Sequence, residues 1–415
     1  MIKHDAYRQI GYLQQALSQN RKPIGIFLGA GCPLSVIIKQ KSESDGEEEI
    51  SLPLIPDVAG LTTIVTNKLK GAEDAPTASD ILISQLKEDG LTNPNIEDIL
   101  SQLRALRQVA GKGKVREFSA KELDDLDKKI CEQIANEVNK ELPTEETPYH
   151  NLAIWARSIP RLKPVHIFTT NYDLLIEQAL EESSCPYFDG FIGSKKAFFD
   201  LGTVEDEELL HPRWCRLWKI HGSINWKQDK EKRVVRSDKV ELGESYLIYP
   251  SHLKYDQSRK MPYLAMLDRL KDFILAPSSV LFISGFSFSD SHINDVILQA
   301  LRSNPTAMCF AFIYGSLDDE KYAKAKQCAK QIPNLSLFAR DKGLIGRQEG
   351  EWILTSEELI GEIPAQVVSK KKQEAESGDA EIVEYELLMG NFAKFGQFLK
   401  EMSFNQNQEA IEDDK

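Results

Sequence analysis

No stretch of this 415-residue chain stays apolar for eighteen residues, and its opening, MIKHDAYRQI, has no signal-peptide core. These absences argue against a helical membrane span and a secretory leader, so a cytoplasmic protein is expected. Cysteine is sparse. The six (Cys32, Cys131, Cys185, Cys215, Cys309, Cys328) are scattered without a CxxC pair, which fits reduced thiols and argues against a cysteine-rich zinc ribbon. Positive charge is in deficit: 51 Lys and Arg against 64 Asp and Glu give −13, which opposes general binding to nucleic-acid phosphates. One run reverses the balance, KQDKEKRVVRSDK (227–239), with six basic and three acidic residues. It reads as a solvated hairpin tip or as a local contact to phosphate or an acidic partner. No internal repeat is visible.

What is present is an α/β pattern. The length allows one large domain with insertions or two to three smaller ones. Five short apolar runs, IGIFL (24–28), VHIF (165–168), VLFIS (280–284), MCFAFIY (308–314) and LSLFA (335–339), suit a parallel sheet covered on both faces. After GFSFSD, Ile293, Val296, Ile297, Ala300 and Leu301 share one helical face, with Ser289 or Asp290 as the cap. Strands alternating with helices imply a doubly wound fold.

Between the first two runs lies a helical stretch, about 57–158, too long for a simple crossover and read as an insertion or subdomain. KQKSESDGEEE (39–49) is charge-dense and expected to be a loop, and SKKKQEAESGDA (369–380) a linker. Residues 1–368 would form the main domain. The tail, 381–415, would be helical, with Leu388, Phe392, Phe395, Leu399 and Met402 as a narrow apolar stripe for the parent domain or another subunit.

In an open parallel sheet, ligands bind where the turns at the carboxyl ends of strands converge. Four such turns carry unusual chemistry. FLGAGCPLS offers Gly29 and Gly31, whose backbone can approach a phosphate with N–H groups aimed at it; tight packing is the alternative. It is neither GxGxxG nor Walker A. FTTNYD offers Asn171 for a ribose hydroxyl or water and Asp173 for an amide, and either residue could instead cap the following helix. LWKIHGSINW places His221 at a glycine turn, suited to proton transfer near neutral pH or to burial as a satisfied core histidine. FISGFSFSD gives Gly285 and Ser287 a close backbone approach and a hydroxyl for phosphate or ribose, or makes a plain strand-to-helix turn.

Taken in order, GAG, TTNYD, KIHGS and GFS resemble the turns of the sirtuin family over roughly residues 20–345. The pattern is most similar to divergent bacterial sirtuin-like domains that hydrolyse NAD in antiviral defence. The layout resembles the sirtuin-like subunit of systems paired with a HerA-type hexameric ATPase. The resemblance implies a Rossmann-like domain that uses NAD+ as substrate, and a homo-oligomeric effector that cleaves it to nicotinamide and ADP-ribose. It implies that Asn171 orients a water or the nicotinamide ribose, that Asp173 holds the carboxamide, and that His221 is the base. Gly29, Ala30 and Gly31 would lie along the pyrophosphate, and Gly285 and Ser287 near the adenosine. IPD (55–57) echoes a family motif and makes Asp57 a nicotinamide contact. The chain departs from the pattern at Thr170, where the family has glutamine, and at Pro33, where it has serine. The four-cysteine zinc module of deacylating sirtuins is replaced by KQDKEKRVVRSDKVEL, so no zinc is expected and protein deacylation is disfavoured. A deacylase and a non-catalytic nucleotide-sensing or scaffold subunit are the rival readings.

Overall fold

The computed structural model describes residues 2–41, 49–72, 74–231, 233–237, 246–248, 262–355, 368–374 and 381–412. All five apolar runs become strands of one ten-stranded sheet. In chain order its strands are β1 (Ile2–Asp5), β2 (Ile24–Leu28), β3 (Val165–Thr169), β4 (Tyr187–Phe188) and β5 (Cys215–Lys219). They continue with β6 (Val280–Ser284), β7 (Met308–Phe312), β8 (Leu335–Phe338), β9 (Lys342–Ile345) and β10 (Gln348–Ile353). The spatial order is β1-β10-β9-β8-β7-β6-β2-β3-β5-β4. From β8 to β4 every pairing is parallel, whereas β9 pairs antiparallel with both neighbours. The doubly wound α/β expectation is borne out.

Residues of a strand alternate between two hydrophobic cores, as the pleat requires. Ile24, Ile26 and Leu28 face one core, with helices Ala6–Ser18, Pro148–Ser158 and Leu175–Glu182. Phe27, Phe168 and Ile283 face the other, with helices Tyr263–Leu275, Ser291–Ser303 and Ala323–Gln331. Burial on both faces explains why these strands read as unbroken apolar runs.

The chain leaves β2 for β3 on one side and later returns to β6 on the other. This reversal is a topological switch point, where a crevice opens beyond the strand ends. The register is aligned there: Leu28 pairs with Thr169 and Ser284, and Thr169 pairs with Lys219.

Four helices, Val58–Leu69, Ala78–Glu88, Ile96–Ala110 and Ala120–Val138, fill most of the expected insertion. Capping boxes at Thr77, Asn95 and Ser119 start three of them by satisfying orphan N–H groups. Pro148–Ser158 instead buries Tyr149, Leu152 and Trp155 in the main core.

Three stretches depart from the sequence reading, the first being the expected helical tail, which opens as the strand Glu381–Leu387 and leaves Leu388 outside the helix Phe392–Glu412. Around 39–49, Ile37–Lys41 and Glu49–Pro53 pair as an antiparallel ladder, while 42–48 lie outside the described residues. Half of the expected linker is a strand: Val368–Glu374 pairs with Glu381–Leu387, and the rest, 375–380, lies outside the described residues. In the register Lys371 pairs with Glu384 and Lys372 with Val383. The basic run 227–239 does include a hairpin, with Gly222–Gln228 antiparallel to Val234–Arg236 in a second, five-stranded sheet. No helix among the described residues is long and apolar enough to cross a membrane.

The tail helix, Phe392–Glu412, lies on Pro148–Ser158, burying Phe392, Phe395, Phe398, Leu399 and Met402. Gly396 permits the contact, since a Cβ there would sit 2.8 Å from the Pro148 Cα. The Phe395 ring centroid lies 4.9 Å from that of Phe312 on β7. Phe395→Ala should therefore cost about 3–5 kcal/mol, read as a lower denaturation midpoint; a loss under about 1 kcal/mol would show that the tail is not part of this core.

Candidate active site

The turn after β2 and the turn after β6 are locked together by backbone. The Gly29 N–H donates to the Ser284 carbonyl at 2.9 Å, and the Gly31 N–H donates to the Gly285 carbonyl at 2.8 Å. A Cβ on Gly29 would fall 2.3 Å from the Gly285 oxygen, and one on Gly285 would fall 2.6 Å from the Cys32 nitrogen. Gly285 also has φ +68, which favours glycine. The glycines thus serve turn-to-turn packing. Their amides are used inside the protein rather than aimed outward as expected. Of the three residues Gly29, Ala30 and Gly31, Ala30 lines the crevice.

That crevice is a cavity of 580 Å³, lined among others by Ala30, Thr170, Asn171, Asp173, His221, Gly285 and Ser287. Residues from all four singled-out turns therefore share one space. Asp57 does not line it. Its carboxylate accepts from the Gly60 N–H at 2.7 Å and caps Val58–Leu69, while its neighbours Pro56 and Val58 do line the cavity.

Asn171 is held by the strand ends. Its N–H donates to Thr169 Oγ1 at 3.0 Å, and its Nδ2 donates to the Gly29 carbonyl at 3.2 Å. With Nδ2 so used, Oδ1 is the atom able to accept from a water or a hydroxyl. Asp173 is buried and accepts from the Leu175 N–H at 3.1 Å, a capping contact at the start of Leu175–Glu182. Lys219, at the end of β5, is itself buried and donates to the Asp173 carbonyl and, at 2.8 Å, to Glu177. Burial pushes both carboxyls above the usual carboxylate range, and the Lys219 ammonium opposes the rise.

His221 follows β5, where the Ile220 N–H donates to the Thr169 carbonyl at 2.8 Å. Its ring stacks on Tyr172 at 6.4 Å, and its Nε2 lies 3.1 Å from Asp290 Oδ2. The other Asp290 oxygen accepts from the His292 N–H at 3.0 Å, capping Ser291–Ser303. One carboxylate therefore fixes both a helix start and the imidazole. The capping signal was legible in the sequence, but its second bond needed the fold. Between these groups Phe288 adopts φ +60, a conformation costing a bulky residue about 1–3 kcal/mol. Full burial of its ring and a bond from Asn294 Nδ2 to its carbonyl at 2.6 Å hold it there.

The helical insertion supplies the opposite wall through Leu61, Asn95, Glu97 and Val138. Among the described lining residues there is no Lys or Arg, whereas Glu97, Asp173 and Asp290 all contribute. Such a lining favours a cationic group at the inner end. Phosphates would have to be met by the hydroxyls of Ser287, Ser289 and Ser291 or by backbone N–H groups.

Comparison with known proteins bears on the same residues. No curated protein matches the chain. A solved structure described as "Structural Basis for the Mechanism and Regulation of Sir2 Enzymes" is 12% identical, with 74% of this chain and 86% of that chain covered and a TM-score of 0.29. The family model described as "SIR2-like domain" matches residues 165–332, the segment that contributes Asn171, Asp173, His221, Gly285, Ser287 and Asp290. Over those residues the chain is similar to a SIR2-like domain, and that similarity supports NAD-dependent enzyme chemistry in general.

Proposed function

We propose that this protein is an NAD+ glycohydrolase, cleaving the nicotinamide–ribose bond to give nicotinamide and ADP-ribose. One observation carries the reading: Asn171 and His221, in the turns after different strands, line one cavity at the switch point. In NAD+ the nicotinamide already carries positive charge, so it leaves neutral and needs no general acid. As the bond breaks, positive charge moves onto the ribose, and an electronegative lining stabilises it there. Asn171 aligns the attacking water, and His221 takes or relays its proton. Asp173 grips the carboxamide, while Asp290 holds the imidazole by its Nε2.

Asn171→Ala and His221→Ala should each reduce NAD+ turnover by on the order of 100-fold or more with the fold retained. Product chromatography with and without an acetylated peptide checks the reaction class. Free ADP-ribose without peptide supports hydrolysis; peptide-dependent O-acyl-ADP-ribose would assign a deacylase. Unchanged turnover in Asn171→Ala rejects the site.

Asp290→Asn separates the two bonds of that carboxylate. Asparagine caps a helix as well as aspartate, so thermal stability should hold. Turnover should fall by about 10-fold or more, because the imidazole loses its charged partner. Equal turnover would reduce Asp290 to a cap.

We also read the protein as a homo-oligomeric effector that depletes NAD+ in antiviral defence together with a HerA-type ATPase. The support is layout alone, a catalytic α/β unit followed by a tail helix. Mixing the two proteins should give a larger assembly with altered NAD+ consumption; no complex and no change in rate would reject the pairing.

A further inference from the structure

On the far edge of the sheet, at the amino ends of β3 and β5, lies a second cavity of 430 Å³. It is lined by Arg157, Arg161, Lys163 and Arg213, by no carboxylate among the described residues, by Cys215, and by Ser184 and Pro186, between which Cys185 lies just behind the wall. In a chain of net charge −13 this concentration of cations stands out. The Cys215 Sγ lies 3.6 Å from the Cys185 Sγ, and both thiols are buried. Backbone fixes the approach: the Cys185 N–H donates to the Leu180 carbonyl at 2.7 Å, and the Cys215 N–H donates to the Pro186 carbonyl at 2.8 Å.

We propose that Cys185 and Cys215 form an oxidisable dithiol, in which hydrogen peroxide or a small hydroperoxide entering the cationic cavity converts the pair to a disulfide. Cys185 differs from the other five cysteines, Cys215 included, whose thiol is pushed up by its hydrogen bond with Cys185 and by burial. Burial pushes the thiols of Cys32, Cys131, Cys309 and Cys328 up. Cys185 moves the other way, drawn down by the hydrogen bond with Cys215 and by the Arg157 guanidinium. Arg157 is fixed nearby, donating to the Ser183 carbonyl at 2.8 Å. A thiol that loses its proton more readily than its neighbours, held beside a second thiol, is what stepwise oxidation requires.

The Cys185 thiolate attacks one peroxide oxygen; the S–O bond forms, the O–O bond breaks, and hydroxide leaves to become water. Cys215 then attacks the sulfur of the Cys185 sulfenic acid. The S–S bond forms, the S–O bond breaks, and the departing hydroxide takes the Cys215 proton as a second water. The two thiols lose two electrons and one peroxide gains them. The bond would tie the segment that follows Asn171 to the strand that precedes His221, making the two flanks of the candidate active site one covalent unit.

The test is peroxide titration of the full native chain, followed by intact mass, thiol counting and peptide mapping. The expected result is a loss of about 2 Da and two thiols, reversed by dithiothreitol, with the bridge mapped to Cys185–Cys215. Cys185→Ser should abolish the bridge at the same dose. Cys215→Ser should stop at a sulfenic acid on Cys185, trapped by dimedone. Six free thiols after a peroxide excess, a bridge between other cysteines, or no dimedone adduct in Cys215→Ser would each overturn the proposal. None of these readouts depends on NAD+ cleavage.

Discussion

The contact on which the site depends is the meeting of two backbones with no side chain between them. Gly29 and Gly285 approach so closely that a single methyl group on Gly29 would overlap the Gly285 carbonyl, at 2.3 Å. Because β2 and β6 are neighbours at the switch point, this contact sets where the crevice begins. Asn171 is measured from the same place, since its amide reaches the Gly29 carbonyl. The first two turns and the last are therefore one rigid unit, and His221 approaches it from β5 on the other side of β3.

Electrostatics adds a second constraint. Lys219 is buried beneath the Asn171 turn, where an uncompensated ammonium would be costly, and it is met by Glu177 and the Asp173 carbonyl. Its neighbour two residues on, His221, faces the cavity and meets Asp290. Thus β5 delivers one cation to the core for support and one titratable ring to the crevice. Both are held by acceptors from a different part of the chain, which ties the angle of the His221 turn to the helices Leu175–Glu182 and Ser291–Ser303.

The parallel sheet was legible because strands buried on both faces must be apolar throughout, and the five runs have no other reading of comparable length. The carboxyl-end turns were legible as candidates for the same reason: polar groups there stand out against apolar strands. What the sequence could not show was partnership. Asp290 announced a helix cap but not a bond to His221, and Cys185 and Cys215 looked isolated because strand pairing, rather than spacing, brings them together. Gly29 and Gly31 suggested exposed amides, yet a glycine needed for packing and one needed for a ligand leave the same signature. The ladder at Val368–Glu374 was hidden because its charged residues carry no strand signal of their own, and only the pairing with Glu381–Leu387 makes it a strand.

The insertion then gains a role beyond bulk. A bare switch-point crevice would be open on the side away from the sheet, and water would reach any charge formed at its inner end from that direction. Leu61 and Val138 add apolar surface to the lining, while Glu97 adds a carboxylate. Excluding water strengthens each remaining electrostatic contact, so a few fixed groups can act where many exposed ones could not. A cavity with carboxylates and no Lys or Arg among its described lining therefore selects by charge, favouring a cationic group over an anionic one. In the hydrolysis proposed above, the ribose bond to the cationic ring would lie between Asn171 and His221, two side chains on turns at the ends of β3 and β5.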